Sequence, residues 1–232
     1  MGYVKCDRVF SFARRLEQMR VRLNRVPPTL LTKVEVEENK ALRLACVGET
    51  NYERALGLHS DTRDKDDVLL TPLGAAIYAK DDESAEALLD GGDDPNEVVE
   101  DGRNALHRAA EKGSRLSLFH RILGMIHNVN AVDNNEGATA LMWAVRGNHL
   151  DMLVSLMNHQ GIDVNVQSRS NSTALHWAVC DNRPAILAQL VSDDRVDTSL
   201  KDQYNRTPLK LAIECEHHEC EKILREHGAP EE

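Results

Sequence analysis

Aromatic side chains are scarce in this chain of 232 residues, at 4% of the total. Large cores and ligand pockets usually draw on more Phe, Tyr and Trp, so the scarcity argues against a compact enzyme. Long apolar runs are missing as well. The most apolar region, Val68 to Ala79, is broken by Thr71, Pro72 and Gly74 and falls short of the ~18 uninterrupted residues a membrane-spanning helix needs. The sequence has no G-x-S-x-G, H-E-x-x-H or C-x-x-C and no phosphate-cradling glycine loop. Its paired carboxylates fall in loops without flanking a recognisable pocket, so no catalytic residue, cofactor, small-molecule substrate or bound metal is expected. The five cysteines are odd in number and scattered, and no apolar signal-peptide core precedes them. That predicts free thiols in a reducing compartment, cytoplasmic or nuclear.

What is present is the composition of a folded chain, 41% hydrophobic and 28% charged, which excludes a collagen-like or wholly disordered protein. Net charge is −10 and unevenly placed, residues 1–37 carrying +4 and residues 38–232 carrying −14. An acidic body repels nucleic acid and favours basic partners. Within the basic part, Phe12, Leu16, Met19 and Leu23 recur at helical spacing, and Pro27-Pro28 ends the run. Residues 1–37 are therefore expected to form a basic amphipathic helix and a Pro-containing linker. Three roles stay open for the helix: a cap on the following domain, a contact with a membrane or acidic partner, or a nucleic-acid or chromatin contact through Arg8, Arg14, Arg15, Arg20, Arg22 and Arg25.

Self-similarity governs the remainder. The phrase TPLGAA from Thr71 returns as NALHRA from Asn104, TALMWA from Thr139, TALHWA from Thr173 and TPLKLA from Thr207, at intervals of 33, 35, 34 and 34. Ala85, Phe119, Leu153 and Leu187 form a second apolar set at steps of 34. Thr at the head of each phrase is a helix N-cap, and Pro after it suits the first turn, where no N–H is required. Leu and Ala three residues apart place one bulky and one small side chain on the same helix face, so neighbouring units can approach closely. Each unit reads as helix, turn near Gly113, Asn148 or Asn182, second helix, then a loop to the next phrase. In those loops Asn171 and Asn205 stand where sister units have Gly102 and Gly137, which predicts a positive φ there. Residues 40–45, KALRLA, make a degenerate first copy, and Glu221 interrupts the second set at the C-terminal end.

This pattern resembles the ankyrin repeat, whose signature is T-P-L-H-x-A at a period of about 33. The resemblance spans roughly residues 38–230 and implies an all-α solenoid. It divides into a degenerate unit, 38–70, and clear repeats 1 to 5 at 71–103, 104–138, 139–172, 173–206 and 207–232. Gly74, Met142 and Lys210 replace the family's His, so only His107 and His176 can make its hydrogen bond to the neighbouring loop. Softer packing is expected around repeats 1 and 3. The family also implies a non-enzymatic, protein-binding adaptor or inhibitor, monomeric when alone, that takes a basic or apolar segment of its partner.

In ankyrin repeats the fifth position of the phrase faces a concave groove, and here it reads Ala75, Arg108, Trp143, Trp177 and Leu211. Two readings of the tryptophans stand: adjacent anchors on a continuous apolar strip, where truncation costs ~2 kcal/mol or more of binding, or rings packed beneath neighbouring loops. Loop tips are expected to add Asp133, Asn134, Asn135, Arg169, Asp202, Gln203 and Tyr204, and the inner turns Arg146, His149, Asp181 and Arg183. The cluster Cys215, His217, His218 and Cys220 matches no common zinc spacing and is explained by repeat register. Asp61, Asp64, Asp66 and Asp67 lack the Gly and Glu of an EF-hand loop. Finally, Ile162-Asp163-Val164-Asn165 resembles loops in which this family's Asn is β-hydroxylated.

Overall fold

The computed structural model describes residues 70–231. The N-terminal stripe with its arginines, the acidic aspartates before Thr71 and nearly all of the degenerate unit lie outside the described residues. Among those described are ten helices in five pairs: α1 (Pro72–Tyr78) with α2 (Asp82–Asp90), α3 (Ala105–Lys112) with α4 (Leu116–Met125), α5 (Ala140–Gly147) with α6 (Leu150–Met157), α7 (Ala174–Cys180) with α8 (Pro184–Val191), and α9 (Pro208–Glu214) with α10 (His218–Glu226). The first helix of each pair packs against the first helix of the next pair, and the second helices stack likewise, giving an all-helical solenoid.

The phrase does the local work expected of it. Thr71, Thr139 and Thr207 Oγ1 accept the N–H of Gly74, Met142 and Lys210 at 3.0, 3.4 and 3.2 Å. Asn104 caps α3 through its side-chain oxygen, 3.1 Å from Leu106 N. Thr173 departs from the pattern, because its hydroxyl donates to His176 Nδ1 at 2.9 Å. The Leu and Ala of all five phrases are 3% exposed or less, and Ala85, Phe119, Leu153 and Leu187 are fully buried. Each such Leu contributes roughly 1.5–3 kcal/mol through burial, and the small Ala lets the next inner helix come close enough to collect it. The positive φ expected in the loops is found at Asn171 (56°) and Asn205 (60°), alongside Gly102 (71°) and Gly137 (66°).

Two ladders tie unit to unit. Near the loop tips, the N–H groups of Asn134, Arg169 and Gln203 donate to the carbonyls of Asp101, Glu136 and Ser170 at 2.7, 2.8 and 2.9 Å. Nearer the outer helices, Asn96, Asn130 and Asn165 each accept an N–H from the following unit (His127, Asp163, Asp197) at 2.8, 2.9 and 2.8 Å. Each also donates its amide to a carbonyl there, of Met125, Gly161 and Arg195. The family's His bond is present twice, from Nε2–H of His107 to Ala131 O at 2.9 Å and of His176 to Arg206 O at 3.0 Å. Repeats 1 and 3 are nevertheless filled where His is missing. Arg108 lies against Gly74, whose missing Cβ would stand 3.2 Å from Arg108 Cδ, and Met142 is 1% exposed.

At the C-terminal end, α10 buries only Cys220 and Leu224 and turns a charged face outward, with Glu221 paired to Arg225. Thr207 Oγ1 donates to Pro230 O at 2.9 Å, so residues 229–231 cover the last unit where another loop would otherwise lie.

Candidate partner-binding groove

Asp133 organises the centre of the inner face. Its side chain is completely buried, and Oδ1 accepts the N–H groups of Asn135, Glu136, Gly137 and Ala138 at 3.2, 2.8, 3.0 and 3.3 Å. Oδ2 accepts Trp143 Nε1–H at 2.9 Å and lies 3.5 Å from Arg103 Nε. The Arg103 guanidinium sits 3.7 Å from the Trp143 ring centroid and also pairs with Glu111 at 3.2 Å. Covered in this way, Trp143 is 3% exposed. Of the two readings of the tryptophans, Trp143 follows the one that packs the ring beneath a neighbouring loop, because the buried carboxylate draws its N–H, and the ring with it, inward, and no open strip runs through both indoles. Asp133, expected at a loop tip, is the residue that shapes the loop from inside.

Trp177, half-buried, meets Trp143 edge to face with centroids 5.7 Å apart and planes at 84°. Arg146 lies beside both rings, 5.3 Å from the Trp143 centroid and 5.2 Å from that of Trp177, and is held by Glu136 at 2.8 Å. Beyond Trp177 runs a groove. Leu211 forms its far wall, Cys180 and Asp181 close it at the C-terminal end of α7, and Ser170, Ser172, Asp202 and Arg206 come from the loops. Arg206 is gripped by Asp202 at 2.9 and 2.7 Å and reaches Glu214 at 3.3 Å. Burial opposes ionisation of Asp202, but the Arg206 hydrogen bonds outweigh it and hold the carboxyl below its ordinary value. Arg146 is likewise raised, its partial burial overcome by Glu136. Burial and the neighbouring Asp181 push the Cys180 thiol up.

Of the residues expected from sequence, the groove gathers Arg146, Trp177, Asp181 and Asp202. Two of the expected residues, one of them in the groove, lie deeper than expected. Arg108 is 2% exposed because the space left by Gly74 admits its stem and Asp101 takes its Nη2 at 2.8 Å, and Asp202 is 6% exposed under its arginine. His149 sits at the inter-helix turn, where Nε2–H donates to Glu111 O at 3.2 Å and burial lowers its pKa. Arg183 caps α8 half-buried, Arg169 is exposed in its loop, and Tyr204 is 68% exposed at a tip, with the Arg206 guanidinium 4.9 Å from its ring. Sequence reasoning missed Arg103, Ser172, Cys180 and Arg206. The register carried the signal: Arg146, Cys180 and Glu214 are 34 apart, as are Ala138, Ser172 and Arg206.

The Cys and His cluster of the last unit points in different directions. Cys215 is exposed, Cys220 is buried 3.6 Å from Asn182 Oδ1, His217 Nδ1–H donates to Val179 O at 2.8 Å, and His218 faces Glu221 at 3.7 Å. Among the described residues no group of three or more His, Cys, Asp and Glu is arranged to hold a metal ion, and no helix is long and apolar enough to cross a membrane.

Stacked helix pairs joined by laddered loops, with a polar-rimmed groove along the first helices, define a helical repeat protein. The family description "Ankyrin repeats (3 copies)" matches residues 73–168 and again 153–231. The chain belongs to the ankyrin repeat family, whose repeats are non-enzymatic protein-protein interaction modules. It is similar to the nuclear factor NF-kappa-B p105 subunit of Gallus gallus, at 29% identity over 132 residues, which is 55% of this chain and 12% of that protein.

Proposed function

We propose that the chain is an adaptor or inhibitor that holds a segment of a partner protein in the groove of repeats 3 to 5. It either blocks that surface of the partner or brings the partner to a second molecule contacted by the basic segment at residues 1–37. The observation that carries the reading is the partly exposed indole of Trp177, set between Arg146, Asp181 and Leu211 in a groove whose loops are fixed to one another by backbone hydrogen bonds. A rigid aromatic in a polar-rimmed recess is the arrangement on which interface energy concentrates. The protein works by binding alone, without catalysis. Its acidic body, free thiols and similarity to a nuclear factor subunit support a cytoplasmic or nuclear location.

Affinity capture from a cell lysate, run on the intact chain and on Trp177→Ala with recovered proteins identified by mass spectrometry, tests the reading. Trp143 is left in place because removing it would disturb the fold. A partner recovered by the intact chain and lost with Trp177→Ala, at unchanged helicity, is expected. Equal recovery of every protein by both would sink the groove as the binding site.

A further inference from the structure

The groove beside Trp177 holds more carboxylate than its own arginines occupy. Arg146 is engaged by Glu136 at 2.8 Å, and Arg206 by Asp202 at 2.7 Å and Glu214 at 3.3 Å. Asp181 is exposed at the C-terminus of α7, and among the described residues its carboxylate has no hydrogen-bond or ion-pair partner. Trp177 and Asp181 are four residues apart, so both project from one face of the helix, with Cys180 beside them. Carbonyl groups at the C-terminal end of α7 add negative potential at the same place.

One repeat earlier the chain shows what such an arrangement accepts. At Trp143 an arginine, Arg103, lies 3.7 Å from the ring centroid and is flanked by the carboxylates of Asp133 and Glu111. The register equivalent of Arg103 before Trp177 is Ala138, and the guanidinium beside Trp177 is that of Arg146, further off at 5.2 Å and already paired. Trp177 and Asp181 also set an aromatic beside a carboxylate without a close arginine, although Asp181 holds the register position of Gly147, and Ser168 and Arg146 stand where Asp133 and Glu111 do.

Building on the groove reading above, we infer that the pocket between Trp177 and Asp181 receives an arginine side chain from the partner's segment. The guanidinium stacks on the Trp177 indole and pairs with Asp181. Arginine suits the site better than lysine because its planar, weakly hydrated head can do both at once. The charge of −14 on residues 38–232 steers such a segment toward the protein.

The test uses the full chain, immobilised and exposed to a library of short peptides in which each position is fixed in turn to each residue type. Arginine at one position is expected to be recovered about tenfold over alanine there, from one cation–π contact and one exposed ion pair together. Lysine falls between the two. Asp181→Asn, at an exposed site where folding is not at stake, is expected to abolish the arginine preference while Trp177-dependent recovery of apolar residues persists. Three results overturn the inference: no position that prefers arginine, a preference unchanged in Asp181→Asn, or no peptide binding at all. Peptides that bind through Trp177 without selecting arginine remove the arginine assignment and leave the groove reading standing. Recovery indifferent to Trp177→Ala removes both.

Discussion

Replacing Asp133 by alanine is the sharpest test of how the inner face is built. Its two oxygens accept four backbone N–H groups and the Trp143 indole N–H, and lie against Arg103, with the side chain fully buried. Asn135 is exposed and Glu136 half-exposed, so water can replace the carboxylate at those two amides at little cost. Gly137, Ala138 and Trp143 are buried, and each donor left without a partner there costs ~1 kcal/mol or more. Charge assistance from Arg103 adds to this, so Asp133→Ala is expected to lose ~3–5 kcal/mol. Asp133→Asn keeps one acceptor oxygen but turns an amide toward the indole N–H and Arg103, and is expected to lose ~2–3 kcal/mol. Glu136→Ala serves as the control, since its pair with Arg146 is about half exposed on both sides and is worth no more than ~1 kcal/mol. Urea unfolding followed by circular dichroism gives the differences. Unfolding of a repeat array need not be two-state, so hydrogen exchange at residues 134–138 gives the local measure. An Asp133→Ala protein within about 1 kcal/mol of the parent, with exchange in that loop unchanged, would refute the argument.

Trp143→Ala is expected to cost ~3–5 kcal/mol of stability, while Trp177→Ala costs clearly less and acts on partner binding; equal losses in a side-by-side denaturant titration would contradict the different burial of the two rings. His107 and His176 both titrate below the usual 6.5, chiefly because burial disfavours the imidazolium and only secondarily modified by bonds to Ala131 and Arg206. As pH falls below that value the unfolded state takes up protons that the folded state refuses, so the urea midpoint is expected to drop between about pH 7 and pH 5, and to drop less in His107→Gln/His176→Gln; a flat or rising midpoint in the parent contradicts it. Gly147→Ala is expected to destabilise by ~1–3 kcal/mol although it lies in a helix, because the new Cβ would sit 2.6 Å from the Glu111 carbonyl and 2.5 Å from His149. Gly124→Ala, with nothing within 4 Å of its Cβ, is expected to gain ~0.5–1 kcal/mol from helix propensity; thermal melts of the pair moving in the same direction would count against the packing described.

The scaffold was readable from spacing because its stabilising contacts repeat with the unit. Leu73 and Ala76 recur as Leu106 and Ala109 since every unit buries the same pair against the next, and Asn171 and Asn205 could be matched to glycines because a single φ requirement recurs at that turn. The groove was less legible. Arg108 and Trp143 occupy the same phrase position as Trp177, yet loop residues of the preceding units, Asp101 and Asp133, cover them and leave Trp177 partly open. An aspartate that caps its own loop looks in sequence like one displayed to a partner, as Asp133 and Asp202 do. Only the hydrogen bonds tell them apart from Asp181.

The location of the partner is the claim on which the rest depends, and Cys180 reports on it directly, as an exposed thiol lining the groove beside Trp177. Iodoacetamide labelling of the intact chain, alone and in complex with the captured partner, followed by mass spectrometry of the cysteine peptides, measures its protection. Slowing at Cys180 by about tenfold or more, with labelling of an exposed outer-helix side chain such as His218 by diethyl pyrocarbonate unchanged, is the expected result. Cys180 labelled at the same rate in both states, with protection instead on the outer helices, would place the partner elsewhere and contradict the account.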